Sequence, residues 1–400
     1  MIQVEDIIHY AREGALLFHS PGGTAYAAVE VDGHLETHAI RSVRFKDWIL
    51  MRFLRQHGRA PNSQLLNDAL NTIRAIAVYH GLEMPVFVRV AEHEGAIYID
   101  LGNENWDAVR VTPEGYEVVS RPPVAFVRKA GFAPLPYPDG GTVDDIRPFL
   151  NVGSDGDFML VAAWAAFSLS PQGPFPVLVL QGEQGSAKST TVRVLRALVG
   201  PAVEPLRALP KHERDLAIAA ANAWVLAFDN LSGIRDQLSD ALCRLATGGG
   251  FATRQLYTDD EEIIFSAKRP IILNGIDDLA TRSDLQERSL LVSLPSIPEE
   301  RRVEEAAFWA ARRLSPPQTT PQARNPSPWR WPASSRSLGS LCGPCGGWSR
   351  RSGSRRRLWP SRAQHRWPSW WRKVSSRCSN LCATCIGFMI PNSTLYLECY

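Results

Sequence analysis

The pattern of apolar and polar positions falls into three rhythms. In the first, TAYAAVEVDGHLETHAI from Thr24 alternates around Asp32-Gly33, which predicts two strands joined by a turn. FKDWILMRFLRQHG then carries Phe45, Trp48, Ile49, Leu50, Met51 and Phe53 at roughly helical spacing, so a helix is expected that stops at Gly58. A second helix is expected from Ser63 to His80, with Leu66, Leu70, Ile73, Ala77 and Val78 on one face and Gly81 as its stop. Short β-rich runs follow: VFVRV, AIYIDLG, AVRVTPEGYEVV and PVAFVRK. Turn signals at Glu94-Gly95, Gly102-Asn103 and Pro113-Glu114-Gly115 separate them, which predicts a meander. No internal repeat is visible.

The second rhythm starts after Ala133–Gly141, a Pro/Gly-punctuated segment. Apolar strands now alternate with longer helices to about Ala311, the pattern of a parallel α/β sheet. Phe158 to Leu169 is the most apolar stretch and reads as a short buried helix, well below the ~18–20 residues of a membrane span. Beyond Leu314 all hydrophobic periodicity stops. These changes predict an α+β domain of unknown role over 1–132, a linker over 133–145, an α/β domain over 146–313 and a low-complexity tail over 314–400.

Charge sharpens the last boundary. The 400-residue chain is formally +3, but residues 314–400 hold 13 Lys and Arg against the single acid Glu398. The tail is thus +12 and the first 313 residues are −9. The tail also holds six of the seven Cys and seven of the twelve Trp. GC-rich codons displaced by one base yield mainly Arg, Pro, Ser, Gly, Trp and Cys, so the tail is read as frameshifted and disordered. A basic nucleic-acid arm and a zinc module are the alternatives. Cys342-Gly-Pro-Cys345 and Cys378, Cys382 and Cys385 have metal-ligand spacing, but no zinc is expected in a context without acids or periodicity. Cys243 alone in the body suits a reducing cytoplasm, and MIQVEDIIHY does not read as a secretory signal. Asp100, Glu104 and Asp107 could pair around a metal; solvated loop carboxylates are the expectation.

The strongest chemical signal is PFPVLVLQGEQGSAKSTTVRVLRALVGP. Val177 to Leu180 reads as a strand buried on both faces, followed by a Gly-rich turn and a helix with Val192, Leu195 and Val199 on one side. That context supports a Walker A phosphate loop formed by Gly182, Gly185, Ser186, Ala187, Lys188, Ser189 and Thr190. The glycines let successive N–H groups converge on phosphate oxygens at a helix N-terminus. Lys188 would reach the β- and γ-phosphates of ATP, and the Ser189 hydroxyl would ligate Mg²⁺. Ala187 stands where the common pattern has Gly, tolerable where φ is negative. A ligand-free Gly-rich turn is the bland alternative. Ala223 to Phe228 is an apolar strand ending in Asp229-Asn230. On a neighbouring strand, Asp229 would hold Mg²⁺, partly through water. Asn230 falls where many ATPases have Glu, and an amide can orient a water but cannot take its proton.

Gly248-Gly249-Gly250 then precedes a predicted β-hairpin from Phe251 to Phe265, and the apolar strand Arg269–Asn274 and the arginines Arg282 and Arg288 follow. In this order the chain resembles superfamily 3 helicases and the AAA+-type ATPase modules of phage and plasmid primase-helicases, over roughly Asn151 to Arg302. The resemblance implies a P-loop ATPase domain, a sensor role for Asn274, and an arginine finger from Arg288 or Arg282 that completes a neighbouring subunit's site. It also implies a hexameric ring moving on single-stranded DNA. The acids Asp259 to Glu262 at the hairpin's centre and the acidic body oppose DNA contact there. No nucleotidyl-transfer motif supports primase activity. The expected function is a helicase-like ATPase of mobile-element DNA replication in the cytoplasm. The alternative is a nucleotide-binding regulatory protein with little hydrolysis; a small-molecule kinase leaves Asn274 and Arg288 without a role.

Overall fold

The computed structural model describes residues 3–138, 140–254, 262–276 and 279–312. The tail, with its cysteines, and hairpin residues 255–261 lie outside the described residues.

The first unit is a four-stranded sheet in the order His34–Ala39, Ala25–Val31, Ala15–His19, Leu82–Glu83. The expected hairpin is present, Val31 pairing with His34 around the turn. The two expected helices are Val43–His57 and Ser63–Tyr79. Ser42 caps the first by accepting the Phe45 N–H, Gly58 ends it in the left-handed region, and Asn62 caps the second. Phe45, Ile49 and Phe53 form the buried stripe at a spacing of four, while Met51, counted with the apolar positions, is exposed. A further helix, Val4–Gly14, buries Ile7 and Ala11 against the same core. Two buried positions in eleven residues are too few for its pattern to stand out.

The meander is present as Val90–His93, Ala96–Asp100, Ala108–Thr112 and Gly115–Val119, paired antiparallel in that order. VFVRV does not form one strand. Val86–Phe87 leaves to pair in parallel with Ala125–Phe126. The loop acids also correct the sequence reading, because Asp100 and Asp107 are buried rather than solvated. Asp100 accepts from Arg128 at 2.6 and 3.0 Å and from the Gly102 N–H at 2.9 Å. Asp107 accepts from Tyr137 and Asn103. Folding the loop inward supplies the partners a buried carboxylate needs; Glu104 alone stays in solvent.

The start of the segment expected as a linker is held against the body. Ala133 N–H donates to Pro201 O at 3.3 Å and Leu135 N–H to Leu101 O at 2.7 Å. Meander residues Ile97, Ile99, Val109 and Val111 share one apolar cluster with Phe158, Leu178 and Leu180. A common core therefore crosses the boundary placed at 132.

The second unit is an all-parallel sheet in the order Leu226–Leu231, Ile271–Gly275, Val177–Gln181, Ser289–Ser293. Alternate residues of the Val177 strand enter opposite cores: Leu178 and Leu180 meet Phe158, Trp164, Val192 and Leu195, while Val177 and Val179 meet Leu216, Phe228 and Leu242. Helices Asp155–Phe167 and Lys188–Val199 cover one face, Glu213–Asn222 and Asp236–Thr247 the other. A strand buried on both faces needs apolar residues at every position, which is why this run is continuous. The hairpin strands Gly250–Arg254 and Glu262–Ser266 pair antiparallel.

Candidate functional site

The carboxyl ends of parallel strands open a crevice where ligands bind in sheets of this kind. Here Gln181, Asp229 and Asn274 stand at those ends, and the loop Gly182–Ala187 spans the crevice before helix Lys188–Val199 begins. Gly182 is required sterically: a Cβ there would lie 2.6 Å from the Leu294 carbonyl oxygen and 2.7 Å from Ser186 Oγ. Gly185 has φ +83, a conformation that favours glycine. Ser186 is buried and its hydroxyl donates to Glu183 O at 2.8 Å, closing the turn. Ala187 offers no side-chain cap to the first turn of the helix, and uncapped first-turn N–H groups are the kind that can bind an anion.

Ala187 departs from its expectation. Its φ is +58 and ψ +31, in the left-handed region rather than at negative φ. The loop reverses at this residue, and the methyl does not remove the need for that reversal.

Lys188 folds back over the loop. Its Nζ donates to Gly182 O at 2.7 Å, Glu183 O at 2.8 Å and Ser186 Oγ at 3.3 Å. Burial pulls its pKa below the ordinary lysine value, and the nearby Asp229 opposes that pull. The ammonium is thus held by neutral carbonyls that an anion can outcompete.

A second line of contacts joins the strand ends. Ser189 Oγ donates to Asp229 Oδ1 at 3.0 Å. Asn230 N–H is shared between Asp229 Oδ1 at 2.8 Å and Asn274 Oδ1 at 2.9 Å. This geometry depends on a bulge at the end of the Asp229 strand, where Asn230 takes φ +56 and pairing resumes at Leu231. Asn274 is 1% exposed, and its Nδ2 has no hydrogen-bond partner among the described residues. A buried amide donor left over in this way is a group awaiting an acceptor. The Asp229 strand is not adjacent to the Val177 strand, as expected, but next but one. The Asn274 strand lies between them.

The two arginines are not brought to this crevice. Arg288 precedes the strand Ser289–Ser293 at the sheet edge opposite the loop, since Ser289 is in register with Val177. It is paired with Asp284. Arg282 is held by Asp240 Oδ1 at 3.0 Å and Asp236 O at 3.1 Å. Two residues to which the sequence reading gave no role do support the loop. Asn151 Nδ2 donates to Ser186 O at 3.0 Å and Pro295 O at 2.6 Å. Arg302 lies over the turn, its Nη2 2.8 Å from where a Cβ of Gly185 would stand. A basic residue shortly after the last strand was the only available signal.

The chain is therefore a mixed α/β protein whose parallel sheet carries the candidate site at its strand ends. Residues 143–319 match the family model described as Actinomycete integrative conjugative element replication protein. No curated protein matches the chain. Among solved structures, an apo structure of the NrS-1 C-terminal region aligns at a TM-score of 0.42 and 12% identity, over 77% of this chain and 65% of that one. A structure described as SCCmec type IV Cch, an active helicase, aligns at a TM-score of 0.41 and 14% identity, over 75% and 57%. This chain spans less than two thirds of either solved chain. Among the described residues no helix is long and apolar enough to cross a membrane.

Proposed function

We propose that this protein is an ATP-binding, Mg²⁺-dependent, helicase-like motor of mobile-element DNA replication in the cytoplasm, built on a P-loop site. The observation that carries the reading is the Ser189–Asp229 contact at 3.0 Å. It joins the hydroxyl after the loop lysine to the strand-end carboxylate, a pair of oxygen donors of the kind a hard divalent cation takes. The match to a replication protein family supports the biological setting.

The residues fit the proposed ligands. The Gly182 cradle that a Cβ would fill suits close approach of a phosphate to backbone, and the unpartnered Asn274 Nδ2 suits an acceptor beside it. Mg²⁺, when bound, neutralises charge on the β- and γ-phosphate oxygens; Ser189 and Asp229 would hold it. Lys188 exchanges the carbonyls of Gly182 and Glu183 for phosphate oxygens. Asn274 orients a neighbouring oxygen through its free amide hydrogens. Arg302 adds positive charge over the turn. Arg288 lies at the opposite end of the strands and is paired with Asp284, so the arginine finger in this reading would have to act on another subunit's nucleotide, within a ring of subunits around single-stranded DNA.

A second reading is a nucleotide-binding regulator with little turnover. Asn230 favours it, because the residue after Asp229 cannot accept a proton from water. ATPase activity of the full chain with and without single-stranded DNA separates the two. Stimulation by DNA supports the motor, whereas saturable ATP binding without turnover under either condition leaves the regulator.

A further inference from the structure

The helix that begins at Lys188 ends in a second cationic group. Arg196, in its last turn, is 3% exposed, and Arg89, between Val86–Phe87 and Val90–His93, is 1% exposed. Arg207 lies on an exposed stretch alongside the Asp229 strand; its N–H donates to Ala227 O at 3.2 Å and its carbonyl accepts the Asp229 N–H at 3.0 Å. These three arginines line one cleft, with Gly131, Phe132 and Trp224 in its walls.

The direct hydrogen-bond partners of the two buried guanidinium groups are neutral. Arg89 donates to Asp100 O at 3.0 Å, Ala133 O at 2.8 Å and Pro201 O at 3.2 Å, and stacks on Phe132 at 3.5 Å. Arg196 donates to Val225 O. All are carbonyl contacts, which supply dipoles but no counter-charge. The carboxylate of Asp100 is taken by Arg128. Nε of Arg89 and Nε of Arg196 are buried without a partner among the described residues. Burial lowers the Arg89 pKa to about 9, partly offset by the Asp100 carboxylate, with repulsion from Arg128 and Arg196 adding to the fall. Burial and repulsion from Arg207 lower the Arg196 pKa to about 10. Buried cations are normally paired, because an unpaired one is costly. Guanidinium forks also match the planar spread of oxyanion oxygens.

We propose that this cleft binds one phosphate-type oxyanion, at a site separate from the glycine loop. The phosphate could be free or could be the terminal phosphate of a single strand. Arg207 connects it by one backbone hydrogen bond to Asp229.

The test is calorimetric titration and thermal denaturation of the full chain with inorganic phosphate, against chloride at matched ionic strength. Lys188→Ala is the background that removes any contribution of the glycine loop. Saturable phosphate binding should persist in Lys188→Ala, and Arg207→Gln should weaken it by about tenfold, as for loss of one hydrogen bond to a charged group. Arg207→Glu places a carboxylate among the cations, so it should raise the melting temperature without phosphate and abolish the phosphate response. Titration with a short 5′-phosphorylated strand and its 5′-hydroxyl counterpart identifies the source. Preference for the phosphorylated end, lost in Arg207→Gln, assigns a nucleic-acid terminus, and equal binding beside phosphate binding assigns the free anion. Phosphate that acts no differently from chloride overturns the proposal, as does phosphate binding indifferent to both Arg207 changes.

Discussion

Replacing Ala187 by Gly tests whether the loop is held under backbone strain. At φ +58 and ψ +31 Ala187 occupies the left-handed region, which costs a non-glycine residue about 1–2 kcal/mol. Glycine removes that cost but adds conformational freedom to the unfolded chain, worth about 0.4–1 kcal/mol in the opposite direction. The difference favours the glycine variant by about 0.5–1 kcal/mol, or roughly 1–4 °C for a unit of this size. Both terms are independent of ligand if the loop keeps its shape on binding, so ATP affinity should stay within about twofold. The same reasoning requires Ala187→Val to be destabilising, because a β-branched side chain is still harder to place at positive φ. Urea denaturation gives the stability difference and calorimetry the affinity. A glycine variant less stable than the parent by about 1 kcal/mol would show that φ is negative in solution or that the methyl packs usefully, and the strain argument would fail.

Lys188→Ala should abolish ATP-dependent stabilisation, which at ~100 times Kd amounts to about 2.7 kcal/mol; an undiminished thermal shift rules out the proposed role. Arg288→Ala should bind ATP normally yet lose turnover by roughly 10³–10⁵, and mixing it with Lys188→Ala should restore some activity. Turnover that ignores Arg288, Arg282 and protein concentration removes the case for a finger in trans. Glu36 provides a pH test in the first unit: burial alone would raise its pKa, but hydrogen bonds and charge from His38 and His34 outweigh this and lower it to about 2. Its contribution, at most about 3 kcal/mol, is therefore present above the ordinary glutamate value and lost as pH falls toward 2. Glu36→Gln should flatten stability across that window, and an unchanged acid limb contradicts the assignment.

How much of this was legible in the sequence depended on whether a feature is local. The hairpin at Asp32-Gly33 and the helices ending at Gly58 and near His80 were read correctly, because turn residues and helical stripes act within a few positions. The parallel character of the second sheet was legible in its uninterrupted apolar strands. VFVRV was misread as one strand because the partner that divides it, Ala125–Phe126, lies some forty residues away. The buried acids Asp100 and Asp107 were misread for the same reason. Their partners Arg128 and Tyr137 become neighbours only when the segment after the meander folds back.

The candidate site shows the same division at finer scale. The loop from Gly182 to Thr190 is one contiguous string, so its residues could be named from spacing alone. Asn274 and Asp229 could be named because each ends an apolar strand, but their order in the sheet could not. Placing the Asn274 strand between the other two makes one N–H, that of Asn230, bond both side chains. That shared donor also gives Asn230 a backbone role unrelated to its amide side chain. Asn230→Asp should therefore leave the strand-end geometry intact, because φ +56 is tolerated by Asp as readily as by Asn. It would restore a group able to accept a proton beside the proposed water. If the regulator reading holds because that group is missing, the variant should gain ATP turnover without a change in ATP affinity. If turnover is already present in the parent and falls in Asn230→Asp, the side chain orients water rather than substituting for a lost base. Absent turnover in both, with binding retained, would place the deficiency elsewhere than residue 230.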